Sequence, residues 1–282
     1  VNGAIQWLVI GAGRAGRIRA RDIEAEPGHE LYAQIPGRTS TDAIHTAIAT
    51  APIDAVAICV ENARHEALAN AALDAGRHTL VEFPLCFTAA GALGLTQLAQ
   101  RSGLTLHLEL IGLLTGGHLA LREHVGKVGL STLQVDFSGG LYGWVAEEAA
   151  ADRWGQLCVG RLHALWDIAG PLTLDTVALT TPKSGGYRLT AHLRGARGEP
   201  IVLTEQRGPD LKRSASWSGE DGACIPISRA RLQPSVPLFL QDLRRCAARI
   251  GGDASAAYVS DEDVIAVAGL AEQISLLAAR SL

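Results

Sequence analysis

The chain has 282 residues, of which 48% are hydrophobic and 19% charged, and its formal net charge is −4. This length favours about two domains, and this composition favours a folded protein over a disordered one. Acidic and basic residues are interspersed, so general affinity for nucleic acid or a membrane surface is not expected. No apolar run reaches the roughly 18 residues of a membrane span, and the first residues lack the pattern of a signal peptide. We therefore expect a cytoplasmic location.

Segments with strand and helix character alternate from residue 5 to residue 110. We predict strands at 5–10, 30–35, 53–60, 78–82 and 104–110, and helices at 14–26, 41–50, 63–75 and 88–101. Most of these segments end at a glycine or proline turn. Such alternation is typical of a doubly wound parallel sheet, and we assign residues 1–112 to a domain of the Rossmann type.

The pattern changes after residue 112. We predict helices at 117–125 and 158–168, strands at 131–138, 173–181, 187–194 and 200–206, and closing helices at 236–250 and 261–281. Strands joined by turns are typical of an antiparallel sheet. Residues 113–282 are therefore predicted to form a substrate-binding α+β domain with a mainly antiparallel sheet and C-terminal helices.

A glycine motif, GxGxxG, follows the first predicted strand and opens the first helix. Gly11 makes the tight turn, Gly13 lets the backbone approach a pyrophosphate, and Gly16 lets the helix pack against the strand. The helix that begins at Arg14 and Ala15 presents free N–H groups and the positive end of its dipole. In this context the motif predicts dinucleotide binding.

The loop after the second strand suggests which dinucleotide is bound. It contains Arg38, Thr39 and Ser40 and no carboxylate, whereas sites that prefer NAD usually place an Asp or Glu here. A cation with two hydroxyls suits a 2′-phosphate, so NADPH (NADP+) is the predicted cofactor, with a solvated loop arginine as the alternative. His65 begins the third helix and is a further candidate for cofactor binding, with capping or packing as its alternative role.

Glu82 and Phe83 follow the fourth strand, at the edge where such sheets bind ligands. Sugar dehydrogenases of the broader glucose–fructose oxidoreductase family have a catalytic lysine at the position of Phe83. In the second domain Asp167 is followed by Ile-Ala-Gly and not by a histidine, so the Asp-plus-His pair of that family is not expected. Oxidation of a hydroxyl group needs a base, so reduction of a conjugated substrate is favoured.

Four stretches resemble, in the same order, the vertebrate-type biliverdin reductase family, and they are residues 11–22, 80–85, 106–114 and 208–213. Tyr usually stands in that family at the position of Phe83. Arg161 and Leu162 are similar to an Arg-Leu pair on a helix that lines the bilin pocket. The resemblance runs from about residue 5 to residue 282.

The resemblance implies an NADPH-dependent reductase that converts biliverdin, a linear tetrapyrrole, to bilirubin. Hydride goes to the central methine carbon and a pyrrolic nitrogen is protonated. The residues implied in catalysis are Arg161, Glu82 and Phe83. Glu82 is also implied in cofactor binding. The implied substrate contacts are Phe83, Glu109, Arg161, Lys212 and Arg213. Arg161 would hold a propionate or ring carbonyl, or supply the proton through water, and Lys212 and Arg213 would pair with propionates.

Two other interpretations remain open. The chain could reduce another conjugated or imine-bearing small molecule, or it could be a non-catalytic NADP(H)-binding sensor, because Phe83 lacks the phenol and most acids near Glu109 are absent. The expected partner is a small molecule, and the oligomeric state is open. Five widely spaced cysteines without a CxxC motif, and histidines without ligand spacing, predict no disulfide framework and no metal site.

Overall fold

A computed structural model describes residues 3–182, 185–219 and 235–281. The first elements are β1 (Ile5–Ile10), α1 (Arg14–Ala25), β2 (His29–Ile35), α2 (Thr41–Thr50), β3 (Ala55–Ile58), α3 (His65–Asp74), β4 (His78–Val81), α4 (Ala89–Ser102) and β5 (Leu106–Leu108). They are followed by α5 (Gly116–Val128), β6 (Leu133–Gly140), α6 (Trp144–Ala150), α7 (Trp154–Ala169), β7 (Thr173–Thr180), β8 (Tyr187–Arg194), β9 (Pro200–Gly208), β10 (Ser214–Ser218), α8 (Leu238–Ile250) and α9 (Asp261–Ala279).

The first sheet is parallel throughout and has the strand order β2-β1-β3-β4-β5. All four residues of β3 are buried, as expected for a strand covered on both faces. The order reverses between β1 and β3, which is the point where doubly wound sheets bind ligands at their carboxyl edge. The predicted Rossmann fold is confirmed.

The second sheet has the strand order β10-β6-β9-β8-β7. Strands β6 and β9 run parallel, and the other three pairs run antiparallel, so the predicted mainly antiparallel sheet is confirmed. Residues on β6 alternate between buried and more exposed positions, which places Leu133, Val135 and Phe137 on the inner face. The prediction missed α6 and β10, since both are short and β10 reads Ser-Ala-Ser-Trp-Ser.

The described residues divide into two compact units. Unit 1 contains residues 3–86, 90–111 and 235–261, and unit 2 contains residues 87–89, 112–182, 185–219 and 262–281. The sequence placed everything after residue 112 in the second domain, but the structure places α8 in unit 1. Leu243 and Cys246 of α8 are fully buried in one core cluster with Trp7 and Ile23. Burial of this apolar face explains why α8 joins the first sheet rather than the second.

Some classes of site are not found in the described part of the chain. Within it, no helix is long and apolar enough to cross a membrane. Among the same residues, no group of three or more His, Cys, Asp or Glu side chains could hold a metal ion. Four cysteines, Cys59, Cys86, Cys158 and Cys246, are buried and form no disulfide bond with one another, and Cys224 lies outside the described residues.

Candidate active site

The glycine turn after β1 is required by close packing within unit 1. Gly11 has φ +119°, and its N–H donates to the carbonyl oxygen of Ile35 at 2.7 Å. A Cβ added at Gly11 would clash with the carbonyl oxygen of Cys59, and one added at Gly16 would clash with the carbonyl oxygen of Gly11. These two glycines therefore let β1, β3 and α1 approach one another.

Gly13 differs, because no described residue restricts a side chain there. A Cβ at Gly13 would meet no atom of the described residues within 4 Å. Within the same part of the chain no side chain caps the helix start at Gly13, and the first turn of the helix contains no acidic residue. Arg14 is exposed and Ala15 half-buried. The free N–H groups thus face open space, which fits a pyrophosphate and supports the dinucleotide site.

The loop after β2 presents a free cation. Arg38 is exposed, and no ion pair or hydrogen bond of its side chain occurs among the described residues. The N–H of Thr39 donates to the carbonyl oxygen of Pro36 at 3.0 Å. Ser40 caps α2, since its hydroxyl accepts from the N–H of Ala43 at 3.4 Å. Arg38 is accordingly the group of this loop that is most available to a phosphate.

Arg64 is a second cation at this loop, and the sequence analysis missed it. It lies just before α3, donates from Nη1 to the carbonyl oxygen of Gly37, and pairs with Glu61 at 3.5 Å. Its Nη2 is buried and has no hydrogen-bond partner in the part of the chain described. The sequence around Arg64 does not indicate a phosphate-binding role, because its contact with Gly37 joins two turns that are distant in sequence. Glu61 brings a half-exposed carboxylate to the same place.

His65 was predicted to bind the cofactor, but its ring lies in the interior of unit 1. The side chain is almost fully buried. Nδ1 lies 2.6 Å from the carbonyl oxygen of Pro84, and Nε2 lies 3.1 Å from that of Val60. Both ring nitrogens are thereby engaged by the backbone after β3 and β4. His65 thereby links the loops after β3 and β4, and its role in cofactor binding stays a prediction.

Glu82 lies directly after β4, where its N–H donates to the carbonyl oxygen of Ile58 at 3.1 Å. Its carboxylate accepts from Nε of Arg19 at 3.1 Å, and the side chain is 14% exposed. Burial raises the pKa of Glu82 above its ordinary value, against the opposing effect of Arg19. Phe83 is half-buried beside it. The predicted residue at the sheet edge is therefore an acid that holds its proton more tightly than usual.

Arg19 connects Glu82 to α8 inside unit 1. It is fully buried, with Nη2 2.5 Å from a carboxylate oxygen of Asp242 and Nη1 3.0 Å from the carbonyl oxygen of Phe239. Asp242 also accepts from Nε2 of His107 at 2.9 Å. The pKa of Asp242 is held far below its usual range by Arg19 and His107, although burial acts in the opposite direction. No sequence pattern indicated this network.

Glu109 was predicted to contact substrate, yet its carboxyl group is in the interior. It lies after β5 and is 1% exposed. Oε1 accepts from the N–H of Ile111 at 2.9 Å, and the side chain lies within hydrogen-bond reach of that of Glu82. Burial and the neighbouring Glu82 raise its pKa well above the ordinary value. The structure thus pairs Glu109 with Glu82.

In unit 2, Arg161 belongs to a cluster of two arginines around one acid. Nη2 of Arg161 and Nε of Arg207 each lie 2.5 Å from a carboxylate oxygen of Glu205, which is fully buried. Both guanidinium groups stack on the ring of Phe137, at 4.2 and 4.5 Å from its centroid. Arg207 was missed by the sequence analysis. The cluster has one positive charge in excess, which favours an anionic ligand.

More cations and two exposed aromatic rings follow the strands that carry this cluster. Lys212 and Arg213 are exposed after β9, and Ser138 on β6 donates to the carbonyl oxygen of Lys212 at 2.9 Å. Tyr142 is 73% exposed and Trp144 40% exposed in the segment after β6. The arrangement offers apolar surface with cations near it. The sequence analysis did not single out these two aromatic residues.

Asp167 has a histidine partner that its sequence neighbourhood does not reveal. Nε2 of His118 on α5 lies 2.7 Å from a carboxylate oxygen of Asp167 on α7, and Arg122 lies 3.4 Å away. His118 and Arg122 lower the pKa of Asp167, although burial opposes them. The expectation that Asp167 lacks a histidine is therefore wrong. Distance along the chain, 49 residues, hid the pair.

The parallel sheet, the glycine turn and the uncapped start of α1 are typical of folds that bind a dinucleotide. Residues 5–110 match the GFO/IDH/MocA family model, described as an oxidoreductase family with an NAD-binding Rossmann fold. Residues 5–110 are thus similar to the NAD-binding Rossmann domain of this family, and the chain is an NAD(P)H-dependent oxidoreductase.

Relatives are similar over nearly the whole chain. Biliverdin reductase A from Homo sapiens is 27% identical over 287 residues, which cover 95% of this chain and 94% of that protein. A crystal structure of biliverdin reductase in complex with biliverdin and NADP+ from Synechocystis sp. PCC 6803 has a TM-score of 0.75 at 21% identity, covering 98% of this chain and 99% of that chain. UDP-N-acetylglucosamine 3-dehydrogenase from Acidithiobacillus ferrooxidans has a TM-score of 0.77 at 17% identity, covering 99% of both chains. The resemblance noted in the sequence is confirmed, and the two solved structures share the fold.

Proposed function

We propose that the chain reduces biliverdin at its central methine bridge to bilirubin, with NADPH as the hydride donor. The observation that carries this proposal is the cluster in which Arg161 and Arg207 share the single acid Glu205. Two guanidinium groups fixed beside an apolar ring suit a large apolar molecule with carboxylate groups. The similarity to human biliverdin reductase A supports the same substrate.

Cofactor binding is assigned to unit 1. The start of α1 at Gly13 would hold the pyrophosphate, and Arg38 and Arg64 would hold the 2′-phosphate of NADPH. The two cations outnumber the one nearby acid, Glu61, which supports NADPH over NADH. The NADP+ complex of the Synechocystis enzyme is consistent with this choice.

Substrate binding is assigned to unit 2. Arg161 and Arg207 would pair with a propionate, with Lys212 and Arg213 as exposed partners for the second. Carboxylate pairing by arginine is geometrically specific, because the planar guanidinium matches two oxygens at once. The exposed rings of Tyr142 and Trp144 would add flat apolar contact area.

The chemistry needs a hydride and a proton, and the bound cofactor supplies the hydride. Arg161 would hold the substrate and polarise it, or deliver a proton through water. Phe83 has no hydroxyl and can contribute only packing. Glu82, whose pKa is raised by burial, is the acid after β4 that would serve as a proton source.

A spectroscopic assay tests the proposal. Purified protein is mixed with NADPH and biliverdin, and the absorbance of all three species is followed between pH 5 and 9. We expect the biliverdin band to disappear, a bilirubin band to grow, and NADPH to be consumed in equal amount. A shifted bilin spectrum without NADPH consumption would indicate the non-catalytic sensor. An unchanged biliverdin spectrum would overturn the proposal and favour a different conjugated, imine or hydroxyl substrate, the last because of the pair His118–Asp167.

Variants of unit 2 separate substrate chemistry from cofactor binding. Arg161→Ala and Arg207→Gln should lower turnover and leave the Kd for NADPH unchanged, since Gly13 and Arg38 lie in unit 1. Arg188→Ala is the matched control, because Arg188 is exposed on β8. Thermal unfolding of each variant checks that Glu205, which loses one arginine partner, has not become a source of instability. Normal turnover by Arg161→Ala would contradict the assignment.

A further inference from the structure

Two carboxyl groups meet at the carboxyl edge of the first sheet. Glu82 follows β4, and Glu109 follows the adjacent parallel strand β5. The N–H of Glu109 donates to the carbonyl oxygen of Val81 at 2.8 Å, which fixes the two residues in neighbouring positions. The side chain of Glu82 is 14% exposed and that of Glu109 is buried. One member of the pair thus reaches the surface of unit 1.

A hydrogen bond between the two carboxyl groups of this pair would require a proton. Oε1 of Glu82 accepts from Arg19, and Oε1 of Glu109 accepts from the N–H of Ile111. Oε2 of Glu109 is buried and has no donor among the described residues. The two side chains nevertheless lie within hydrogen-bond reach of each other. Ionised carboxylates only accept hydrogen bonds, so the contact between them is satisfied when one of the two carries a proton.

We propose that Glu82 and Glu109 share a single proton at neutral pH and form an internal proton store, with Arg19 and Asp242 as positioning residues that set how tightly it is held. The catalytic use of this store rests on the reductase function proposed above. The sharing itself does not.

Charged and titratable groups face the pair from every element packed against it. Burial raises the pKa of both carboxyl groups, and Arg19 on α1 lowers both. The negative charge of Asp242 on α8 raises the pKa of both carboxyl groups. Cys59 after β3 and Tyr258 before α9 are also buried here, and burial raises their own pKa values. His107 on β5 is bonded to Asp242 and not to the pair. Three carboxyl groups therefore surround one fully buried guanidinium, and a proton on the Glu82–Glu109 pair reduces their repulsion.

A shared proton would complete the reaction. Reduction forms one C–H bond with the hydride taken from NADPH, and one N–H bond at the substrate with a proton from another source. The pair supplies that proton through the exposed side of Glu82, directly or by way of a water molecule. Both carboxylates are then ionised beside Arg19, and the pair takes a proton back from solvent. Over one cycle the protein is unchanged and one proton is consumed.

Infrared difference spectroscopy tests the sharing without any substrate. The carbonyl stretch of a protonated carboxylic acid should persist above neutral pH in the unmodified protein and disappear on further titration. Glu109→Gln should remove this band at neutral pH, because Glu82 then keeps Arg19 and loses its acidic neighbour. Glu24→Gln is the control, since Glu24 is exposed on α1. Absence of the band above neutral pH, or an unchanged band in Glu109→Gln, would overturn the proposal.

The positioning residues should move the titration in opposite directions. Asp242→Asn removes a neighbouring negative charge and should lower the apparent pKa of the protonated carboxyl group, whereas Arg19→Gln should raise it, each by about one unit or more. A merely structural role would not produce opposite shifts, so shifts in the same direction count against the proposal. If Arg19→Gln does not fold, the variants Asp242→Asn and Glu109→Gln are sufficient to test the shared proton.

Kinetics then test the catalytic use of the store. With NADPH and biliverdin, the alkaline limb of the pH profile of kcat should move to lower pH in Glu109→Gln and stay in place in Glu24→Gln. An unchanged limb would show that the proton comes from elsewhere. A protein that does not reduce biliverdin at all would refute the proposed substrate, while the infrared result would still decide the sharing.

Discussion

Arg38→Ala is expected to remove most of the preference for NADPH over NADH. Arg38 is exposed, and no ion pair of its side chain occurs among the described residues, so its loss should leave unit 1 folded. A hydrogen bond between charged groups contributes about 1.5–3 kcal/mol, and solvent screening places an exposed arginine near the lower end. The expected loss of NADPH affinity is therefore about tenfold. NADH lacks the 2′-phosphate, so its affinity should not change.

The assay is a measurement of Kd for both cofactors in the unmodified protein and in Arg38→Ala, at low and at high salt. Arg101→Ala is the matched control, because Arg101 is exposed at the end of α4 and far in sequence from the loop after β2. The preference should weaken as ionic strength rises, since screening acts on exposed charges. Equal affinity of the unmodified protein for NADPH and NADH would refute the reasoning. So would an equal effect of Arg38→Ala and Arg101→Ala.

Three further outcomes are expected. Gly13→Val should abolish cofactor binding, which is measured by titration. The melting temperature of this variant should stay nearly unchanged, because the added side chain enters open space. Gly11→Val should fail to fold, because its side chain would clash with the carbonyl oxygen of Cys59. Burial lowers the pKa of His163 to about 4, so the free energy of unfolding should fall by about 3 kcal/mol between pH 6.5 and 4 as the unfolded chain takes up the proton; His163→Gln should flatten that slope in denaturant titrations. Phe83→Tyr should keep or raise kcat, and a large loss of kcat would show that the phenol is not tolerated there.

Most of unit 1 could be predicted because its signals are local. Each strand and helix has its own apolar pattern and turn residues, and the glycine motif stands at the first junction. The placement of α8 could not be predicted in this way. It depends on a contact such as that between Arg19 and Phe239, which are 220 residues apart. Amphipathic patterning shows that a helix has an apolar face, but it does not show which core receives it.

The candidate site shows the same limit at the level of single residues. For Gly13 the glycine motif predicts both its position after β1 and its role, the close approach of the backbone to a pyrophosphate. Glu109 was identified as important, but its interior position depends on Glu82, 27 residues earlier. Arg207 and Asp242 carried no signal, since a charged residue in a chain is exposed unless another residue pairs with it. A single sequence does not show which distant residues form such a pair.

The two buried ionic clusters are unbalanced in opposite senses, and this imbalance links structure to function. Around Arg19 three carboxyl groups face one guanidinium, whereas around Glu205 two guanidinium groups face one carboxylate. A buried charge without a partner is costly, so each cluster favours one additional species of opposite charge. For the acidic cluster the smallest such species is a proton, and for the basic cluster it is an anionic ligand. The reductase function proposed above would use both species, the proton at the acidic cluster and a substrate carboxylate at the basic one.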